Sequence, residues 1–234
     1  MKVLEVNNIS KRIRKKQILD DVSFFLCAGE IVGLIGKNGV GKSTLIKVIL
    51  SLQKCDKGII KINGFNLRTN YVEAIKGVSG IVETPDMYSY LSGYENLLLI
   101  KRMYKDVTIE DIDRVVKLVK LEDSINIKVS KYSLGMKQRL GIACSLLSKP
   151  NILILDEPTN GLDHTGIMEL RNILLKLKED GICILISSHN LYELENICNR
   201  VYFMDKGRIV NECKLDNNSK LEDMYLSIIG GLDE

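Results

Sequence analysis

The chain has 234 residues, and its 45% hydrophobic and 27% charged side chains are ordinary globular usage that excludes an intrinsically disordered protein. Its formal net charge is +3, a surplus too small to indicate nucleic-acid binding by itself. The six cysteines form no C-x-x-C pair, so they predict reduced residues of an intracellular protein rather than a disulfide or zinc framework.

The chain begins without the apolar core of a signal peptide. No stretch approaches the ~20 uninterrupted apolar residues that a membrane-spanning helix requires. We therefore expect a soluble chain that reaches a membrane only through a partner.

The first elements predict β structure followed by a loop and a helix. Residues 3–9 alternate apolar and polar side chains, which is typical of an edge strand. The cationic residues 11–16 fit a solvated hairpin tip, although a site for phosphate or acidic lipid would use the same charges. A short strand is predicted at residues 30–35 and a helix at residues 44–52, with a glycine-rich loop between them.

The middle of the chain predicts strands separated by helices. Short strands are expected at residues 58–62 and 80–82, and residues 84–150 have a helical pattern. One apolar helix face in that region is formed by Ile112, Val115, Val116 and Val119. Buried strands are expected at residues 151–155 and 183–187. An amphipathic helix between them is marked by Ile167, Leu170, Ile173, Leu174 and Leu177.

Continuous apolar strands that alternate with helices indicate a mostly parallel sheet covered on both faces. A weaker helical stripe near the C-terminus is expected to pack onto this body rather than to bind a partner. Its members are Leu221, Met224, Tyr225, Ile228 and Ile229.

The strongest functional signal is a phosphate-binding loop between the predicted strand and helix. Glycines let the backbone wrap so that several N–H groups face one anion, and the following helix adds its positive N-terminal end. Lys42 can reach the β- and γ-phosphates, and the Ser43 hydroxyl can hold Mg²⁺. The alternative is a glycine-rich turn without a ligand. The loop consists of Gly36, Lys37, Asn38, Gly39, Val40, Gly41, Lys42, Ser43 and Thr44.

A second signal is a pair of carboxylates at the end of the predicted buried strand 151–155. Ligands of open parallel sheets bind at the carboxyl edge of the strands. Asp156 is predicted to steady Mg²⁺ through its water shell, and Glu157 to orient or deprotonate an attacking water. A helix cap would be the structural alternative for such a strand end.

The segment between these two motifs identifies a family. Residues 132–136 read Y-S-L-G-M, which resembles the L-S-G-G-Q signature of the ATP-binding subunits of ABC transporters. Residues 160–163 resemble the D-loop of that family, and His189 resembles its switch histidine. The resemblance covers essentially the whole chain, in the family's order and spacing.

This resemblance implies an α/β fold, a P-loop NTPase of the ABC ATPase type. It implies a mostly parallel core sheet, an N-terminal antiparallel β part and a helical subdomain at about residues 84–150, all within one ATP-binding domain, residues 1–234. It also implies ATP and Mg²⁺ as ligands, and two copies paired head to tail. Ser133 and Gly135 of one copy would cap the γ-phosphate held by the phosphate loop of the other copy. His189 would also contact the γ-phosphate. A strand-end histidine bonded to a neighbour is the alternative for His189.

The chain departs from the family pattern at three places. Ile13 stands where the family often stacks an aromatic ring on adenine, and an arginine plane from Arg12 or Arg14 would partly replace that ring. In the signature, leucine replaces the first glycine and methionine replaces the glutamine, whereas Gly135 is kept. Glu83 stands in place of the Q-loop glutamine and is expected to be a Mg²⁺ ligand, and a carboxylate that simply points to solvent is the alternative.

Residues 83–97 and 132–143 resemble one branch, the exporters of the bacitracin-resistance and lantibiotic-immunity type. The resemblance implies an ATP-hydrolysing subunit that powers export of a peptide antibiotic or a similar amphipathic compound. Its partners would be integral membrane permease subunits on separate chains and a second ATP-binding subunit, most simply an identical chain, with no nucleic acid. It would be cytoplasmic, peripheral on the inner face of the cell membrane. The alternatives are another split exporter, for sodium, multiple drugs or glycolipids, and a soluble ABC ATPase without a transport role.

Overall fold

The chain begins with a long hairpin whose strands bury one face each. In the computed structural model, which describes residues 1–216 and 221–230, β1 (Lys2–Ile13) pairs antiparallel with β2 (Lys16–Cys27). The two residues of the turn are exposed, as the cationic hairpin tip predicts. β4 (Lys57–Ile62) and β5 (Phe65–Asn66) complete a four-stranded sheet in the order β2-β1-β4-β5.

The prediction of an edge strand at residues 3–9 is wrong. β1 lies between β2 and β4 and is hydrogen-bonded on both sides. Alternation of apolar and polar side chains shows that one face of a strand is buried, but it says nothing about the number of its hydrogen-bonded neighbours.

The second sheet has six strands in the order β10-β9-β3-β8-β7-β6. Its neighbours pair in parallel except for β9 and β10, which are antiparallel. Continuous apolar sequence makes β3, β7 and β8 buried at every position. The strands are β3 (Ile31–Ile35), β6 (Val78–Ile81), β7 (Ile152–Asp156), β8 (Cys183–Ser188), β9 (Arg200–Asp205) and β10 (Arg208–Lys214).

The helices of the described residues connect and cover these strands. They are α1 (Lys42–Ile49), α2 (Tyr71–Lys76), α3 (Gly93–Met103), α4 (Ile109–Leu118), α5 (Leu134–Leu146), α6 (His164–Glu179), α7 (Leu191–Glu195) and α8 (Leu221–Gly230), with a 3₁₀ turn at Val129–Lys131. None of them is long and apolar enough to cross a membrane.

Helices α3 to α5 lie between β6 and β7 in the chain, within the predicted helical region. Capping boxes start two of them: Ser92 with Glu95 begins α3, and Thr108 with Asp111 begins α4. Hydrogen bonds from Ser92 lower the pKa of Glu95, so this cap is stronger when the carboxylate is charged. All four residues of the predicted apolar face of α4 are buried.

A buried cation joins the two sheets. The Arg200 guanidinium donates to the Glu212 carboxylate at 2.9 Å, to the Phe25 carbonyl at 3.1 Å and to the Glu30 carboxylate. Burial opposes the charged form, but the hydrogen bonds to the two carboxylates outweigh it and raise the pKa of Arg200. These contacts connect β9 and β10 of the second sheet with β2 of the first sheet.

The C-terminal helix packs onto the body, as its stripe predicts. Leu221 is buried, and Met224 and Ile228 contact the same hydrophobic core that α4 to α6 share. The Tyr225 ring lies 6.1 Å from the Phe203 ring, centroid to centroid. For the fifth member, Ile229, the structure describes the helical backbone but not the side chain, so its contacts are outside what is described.

Candidate functional site

Three neighbouring strands end at one edge of the central sheet. β3 pairs with β8, and β8 pairs with β7, all in parallel. The glycine loop leaves β3, Asp156 and Glu157 end β7, and His189 follows β8. Because parallel strands share one carboxyl edge, these groups are brought together there.

The glycine loop has the backbone conformation of an anion-binding turn. Gly39 and Gly41 have φ values of +81° and +115°, which residues with a side chain rarely adopt. A Cβ atom on Gly36 would lie 2.4 Å from the Met204 carbonyl oxygen, so the loop is packed too closely for a larger residue. Helix α1 starts directly at Lys42 and has no side-chain cap, so no capping side chain occupies the N–H groups of its first turn.

Lys42 is buried at this edge, with 5% of its surface exposed. Its ammonium donates to the Gly36 carbonyl at 2.7 Å and lies 3.4 Å from the Lys37 carbonyl oxygen. The third partner is the Glu157 carboxylate, with Nζ 3.2 Å from Oε1. The phosphate loop and the acid pair are therefore in direct contact.

Asp156 and Glu157 have different surroundings. The Asp156 carboxylate is buried and accepts a hydrogen bond from the Ser187 hydroxyl. Glu157 turns out of the strand with a φ of +50° and keeps part of its carboxylate exposed. His189 Nδ1 lies 2.8 Å from Glu157 Oε2, a spacing at which the imidazole donates to the carboxylate. The acid is thus held between a buried cation and a histidine.

The predicted residues Glu83 and Ile13 are not brought to this cluster. The Glu83 carboxylate is 70% exposed and pairs with Lys47 of helix α1, Nζ to Oε1 2.9 Å, and contacts neither Ser43 nor Asp156. Ile13 is 41% exposed at the hairpin turn, where it pairs with Lys16.

The signature residues begin helix α5. The Ser133 hydroxyl accepts from the Met136 N–H at 3.2 Å and so caps helix α5. A Cβ atom on Gly135 would lie 3.9 Å from the Leu162 side chain, an ordinary van der Waals distance, so nothing crowds the backbone at this helix start. Among the described residues, no hydrogen bond or ion pair connects this helix start to the glycine loop.

Sequence reasoning missed Ser187, which contacts both acids. Its hydroxyl donates to Asp156 and accepts from the Glu157 N–H at 3.0 Å. The sequence does carry a signal for Ser187, since it is a polar residue near the end of an otherwise apolar buried strand. Such a residue lies beside the end of the neighbouring parallel strand. The pairing of β7 with β8 was not predicted, so that neighbour was unknown.

Comparison with known proteins identifies the family. A family model described as "ABC transporter" matches residues 19–160, more than half of the chain. The chain therefore belongs to the ABC transporter family, and it is the ATP-binding subunit of such a transporter. A solved structure described as "Structure of ATP binding subunit of ABC transporter" is 32% identical with a TM-score of 0.86, covering 97% of this chain and 99% of that chain. The predicted fold class is thus confirmed.

The relatives confirm the resemblance to one branch. "Bacitracin transport ATP-binding protein BcrA" of Enterococcus faecalis is 38% identical over 95% of this chain and 74% of the relative. "Lantibiotic transport ATP-binding protein SrtF" of Streptococcus pyogenes is 38% identical over 95% of this chain and 96% of the relative. An uncharacterized ABC transporter ATP-binding protein of Bacillus subtilis reaches 48% identity over 95% of this chain and 74% of the relative.

We predict that Lys42→Ala weakens ATP binding at least about tenfold, which corresponds to roughly 1.4 kcal/mol. The substitution removes the ammonium from the phosphates and also leaves the Glu157 carboxylate unbalanced beside them. Isothermal calorimetry measures the loss. Lys54→Ala, an exposed lysine beyond α1, is the matched control and should bind ATP as the wild type does. Unchanged binding by Lys42→Ala would mean that this loop is not the phosphate site.

Proposed function

We propose that the chain binds Mg²⁺ and ATP at this sheet edge, hydrolyses ATP, and so powers a membrane exporter. The observation that supports this most directly is the Glu157 carboxylate, held by Lys42 and His189 beside the glycine loop. An acid fixed next to a phosphate-binding loop is placed to orient a water for attack on the terminal phosphate.

Different residues of this site would bind the phosphates, hold the metal and take the proton, each according to its side-chain chemistry. Lys42 and the first N–H groups of α1 would bind the β- and γ-phosphates. The Ser43 hydroxyl and the Asp156 carboxylate offer the oxygen donors that Mg²⁺ prefers, and phosphate and water oxygens would complete its shell. Glu157 would take the proton of the attacking water. His189, which already contacts Glu157, would donate to the γ-phosphate.

We propose that Ser133 and Gly135 act on the ATP of a second, identical copy. Among the described residues, no hydrogen bond or ion pair joins their helix start to the glycine loop of its own chain, and a Cβ atom on Gly135 would meet nothing closer than 3.9 Å. The Ser133 hydroxyl accepts from Met136 through its oxygen, so its proton remains available for a phosphate oxygen. The N-terminal end of helix α5, 13 residues long, adds its dipole.

For adenine we propose contact at the hairpin tip, at Ile13 and the neighbouring Arg12. Arg12 Nε donates to Gln17 Oε1 at 2.6 Å, and the Arg12 N–H donates to the Asp56 carboxylate at 2.6 Å. The Nε bond restrains the guanidinium plane and the backbone bond fixes the strand that carries it, which favours stacking on a base.

We propose that an apolar groove takes a helix of the membrane permease. The groove has a volume of about 480 Å³ and lies between helix α3, helix α5 and the loop after β6. Among its lining residues are Leu52, Pro85, Tyr88, Leu99 and Cys144. Binding there would keep the chain, as one ATP-binding domain, on the inner face of the membrane through the permease alone.

The proposed cargo is a peptide antibiotic or a similar amphipathic compound. Relatives named for bacitracin and lantibiotic transport support this choice over the sodium, multidrug and glycolipid alternatives. A soluble ABC ATPase without a transport role is disfavoured for the same reason.

We predict that Glu157→Gln retains ATP binding but lowers turnover at least about 100-fold, because an amide of the same shape cannot take a proton. It should also trap a dimer, since hydrolysis reopens the pair. Size-exclusion chromatography with ATP tests this. Glu179→Gln, at the exposed end of α6, should turn over normally and form no trapped dimer. Retained turnover together with a monomer throughout would contradict the role of Glu157.

We predict that Glu83 binds the metal only after leaving Lys47. Wild-type nucleotide affinity should then depend more steeply on Mg²⁺ concentration than that of Glu83→Gln, since a carboxylate is the stronger Mg²⁺ ligand. Lys47→Ala removes the competing ion pair and should keep the steep dependence. Superimposable Mg²⁺ titrations of all three proteins would leave Glu83 as a surface carboxylate.

We predict that Tyr88→Glu releases the chain from the membrane fraction of its native cell and leaves ATP affinity unchanged. The new charge would be buried against the apolar permease helix, which is unfavourable. Tyr104→Glu, at the end of α3 and outside the groove, should stay with the membranes. Equal sedimentation of both variants with the membranes would argue against docking in this groove.

A further inference from the structure

Ser187 occupies a buried position between the two acids of the site. It is fully buried on β8, directly opposite Asp156 of β7 in the parallel register. Among residues 1–216 and 221–230, it is the one side chain that donates a hydrogen bond to the Asp156 carboxylate. A buried carboxylate oxygen needs such a donor in place of the water it has lost, and the donor also fixes the rotation of the carboxylate.

The same oxygen also acts on Glu157. Ser187 Oγ accepts from the Glu157 N–H at 3.0 Å, and the Ser187 carbonyl accepts from that N–H at 3.1 Å. Glu157 has a φ of +50°, a backbone conformation that residues other than glycine adopt only when their surroundings hold them in it. The Ser187 hydroxyl, together with the Ser187 carbonyl, therefore holds the turn that directs the Glu157 carboxylate towards Lys42 and His189.

One hydroxyl thus sets the relative position of both acids. The Ser187 hydroxyl donates to the Asp156 carboxylate and accepts from the Glu157 backbone N–H, so these two bonds together determine the rotation of the hydroxyl. We propose that Ser187 is a positioning residue, which orients the Asp156 carboxylate for the metal and the Glu157 backbone for the attacking water. This inference rests on the proposed function, in which these two acids serve Mg²⁺ and hydrolysis.

The neighbouring Ser188 is a matched control. It is also buried and also lies on β8, but its hydroxyl oxygen accepts from the Asn190 N–H at 2.9 Å and contacts neither acid. Ser187→Ala and Ser188→Ala each delete one oxygen from the same strand. Ser187→Thr keeps the hydroxyl and tests whether it, rather than the packing of the serine, carries the effect.

The experiment measures binding and turnover separately in the full chain. A fluorescent ATP analogue is titrated in EDTA and at increasing Mg²⁺ concentrations, and steady-state hydrolysis is measured at saturating ATP. For Ser187→Ala we expect affinity in EDTA within about twofold of wild type, which also shows that the variant is folded. We expect its kcat to fall about 10- to 100-fold and its half-maximal Mg²⁺ concentration to rise severalfold. Ser187→Thr should recover most of both, and Ser188→Ala should match wild type.

Two results would overturn the proposal. One is a Ser187→Ala variant with wild-type kcat and Mg²⁺ dependence, and the other is a Ser188→Ala variant with the same losses. A wild-type chain that binds ATP but does not hydrolyse it would contradict the proposed function instead. The Mg²⁺ dependence of binding would still decide on Asp156 and Ser187, because it needs no turnover.

Discussion

The ammonium of Lys42 is buried at the carboxyl edge of the central sheet, and a buried cation must be compensated by oxygen atoms. Here two loop carbonyls and the Glu157 carboxylate do so. The same compensation brings the glycine loop after β3 against the acid pair after β7, although the two motifs lie more than 100 residues apart in the chain. The arrangement suits an anion with several charges, since phosphate oxygens can replace these partners without leaving the cation unpaired.

Strand register makes this meeting point possible. β3, β8 and β7 are parallel neighbours, so the residues that follow them leave the sheet on the same side. A slip of β7 by one residue against β8 would turn Asp156 to the opposite face of the sheet from Ser187, and their hydrogen bond could not form. The apolar strands that bury both faces therefore determine the chemistry at their ends as well as the stability of the fold.

The loop and the acid pair could be predicted because each is local: glycines, Lys42 and a strand end are visible within a few residues of sequence. The contacts of Ser187 and the central place of β1 could not, since both depend on which distant strand lies alongside. Glu83 is a different case. Its type and its position in the motif indicate a metal ligand, whereas its partner Lys47 comes from the exposed face of α1 and has no sequence signal. A charged side chain at a surface can form ion pairs of similar energy with several partners, so the sequence does not indicate which one it contacts.

The close contact between helix α5 and the loop after β6 has a mechanical consequence. A Cβ atom on Gly141 would lie 2.6 Å from the Pro85 ring, so the helix and this loop touch with no space between them. Pro85 lines the apolar groove, and Ser133 lies eight residues before Gly141, about 12 Å along a rigid helix. A displacement of the loop therefore cannot be absorbed locally. Such a displacement would push on α5 at Gly141, in the middle of the helix, and a helix that moves as a rigid body would carry the Ser133 hydroxyl at its N-terminal end with it.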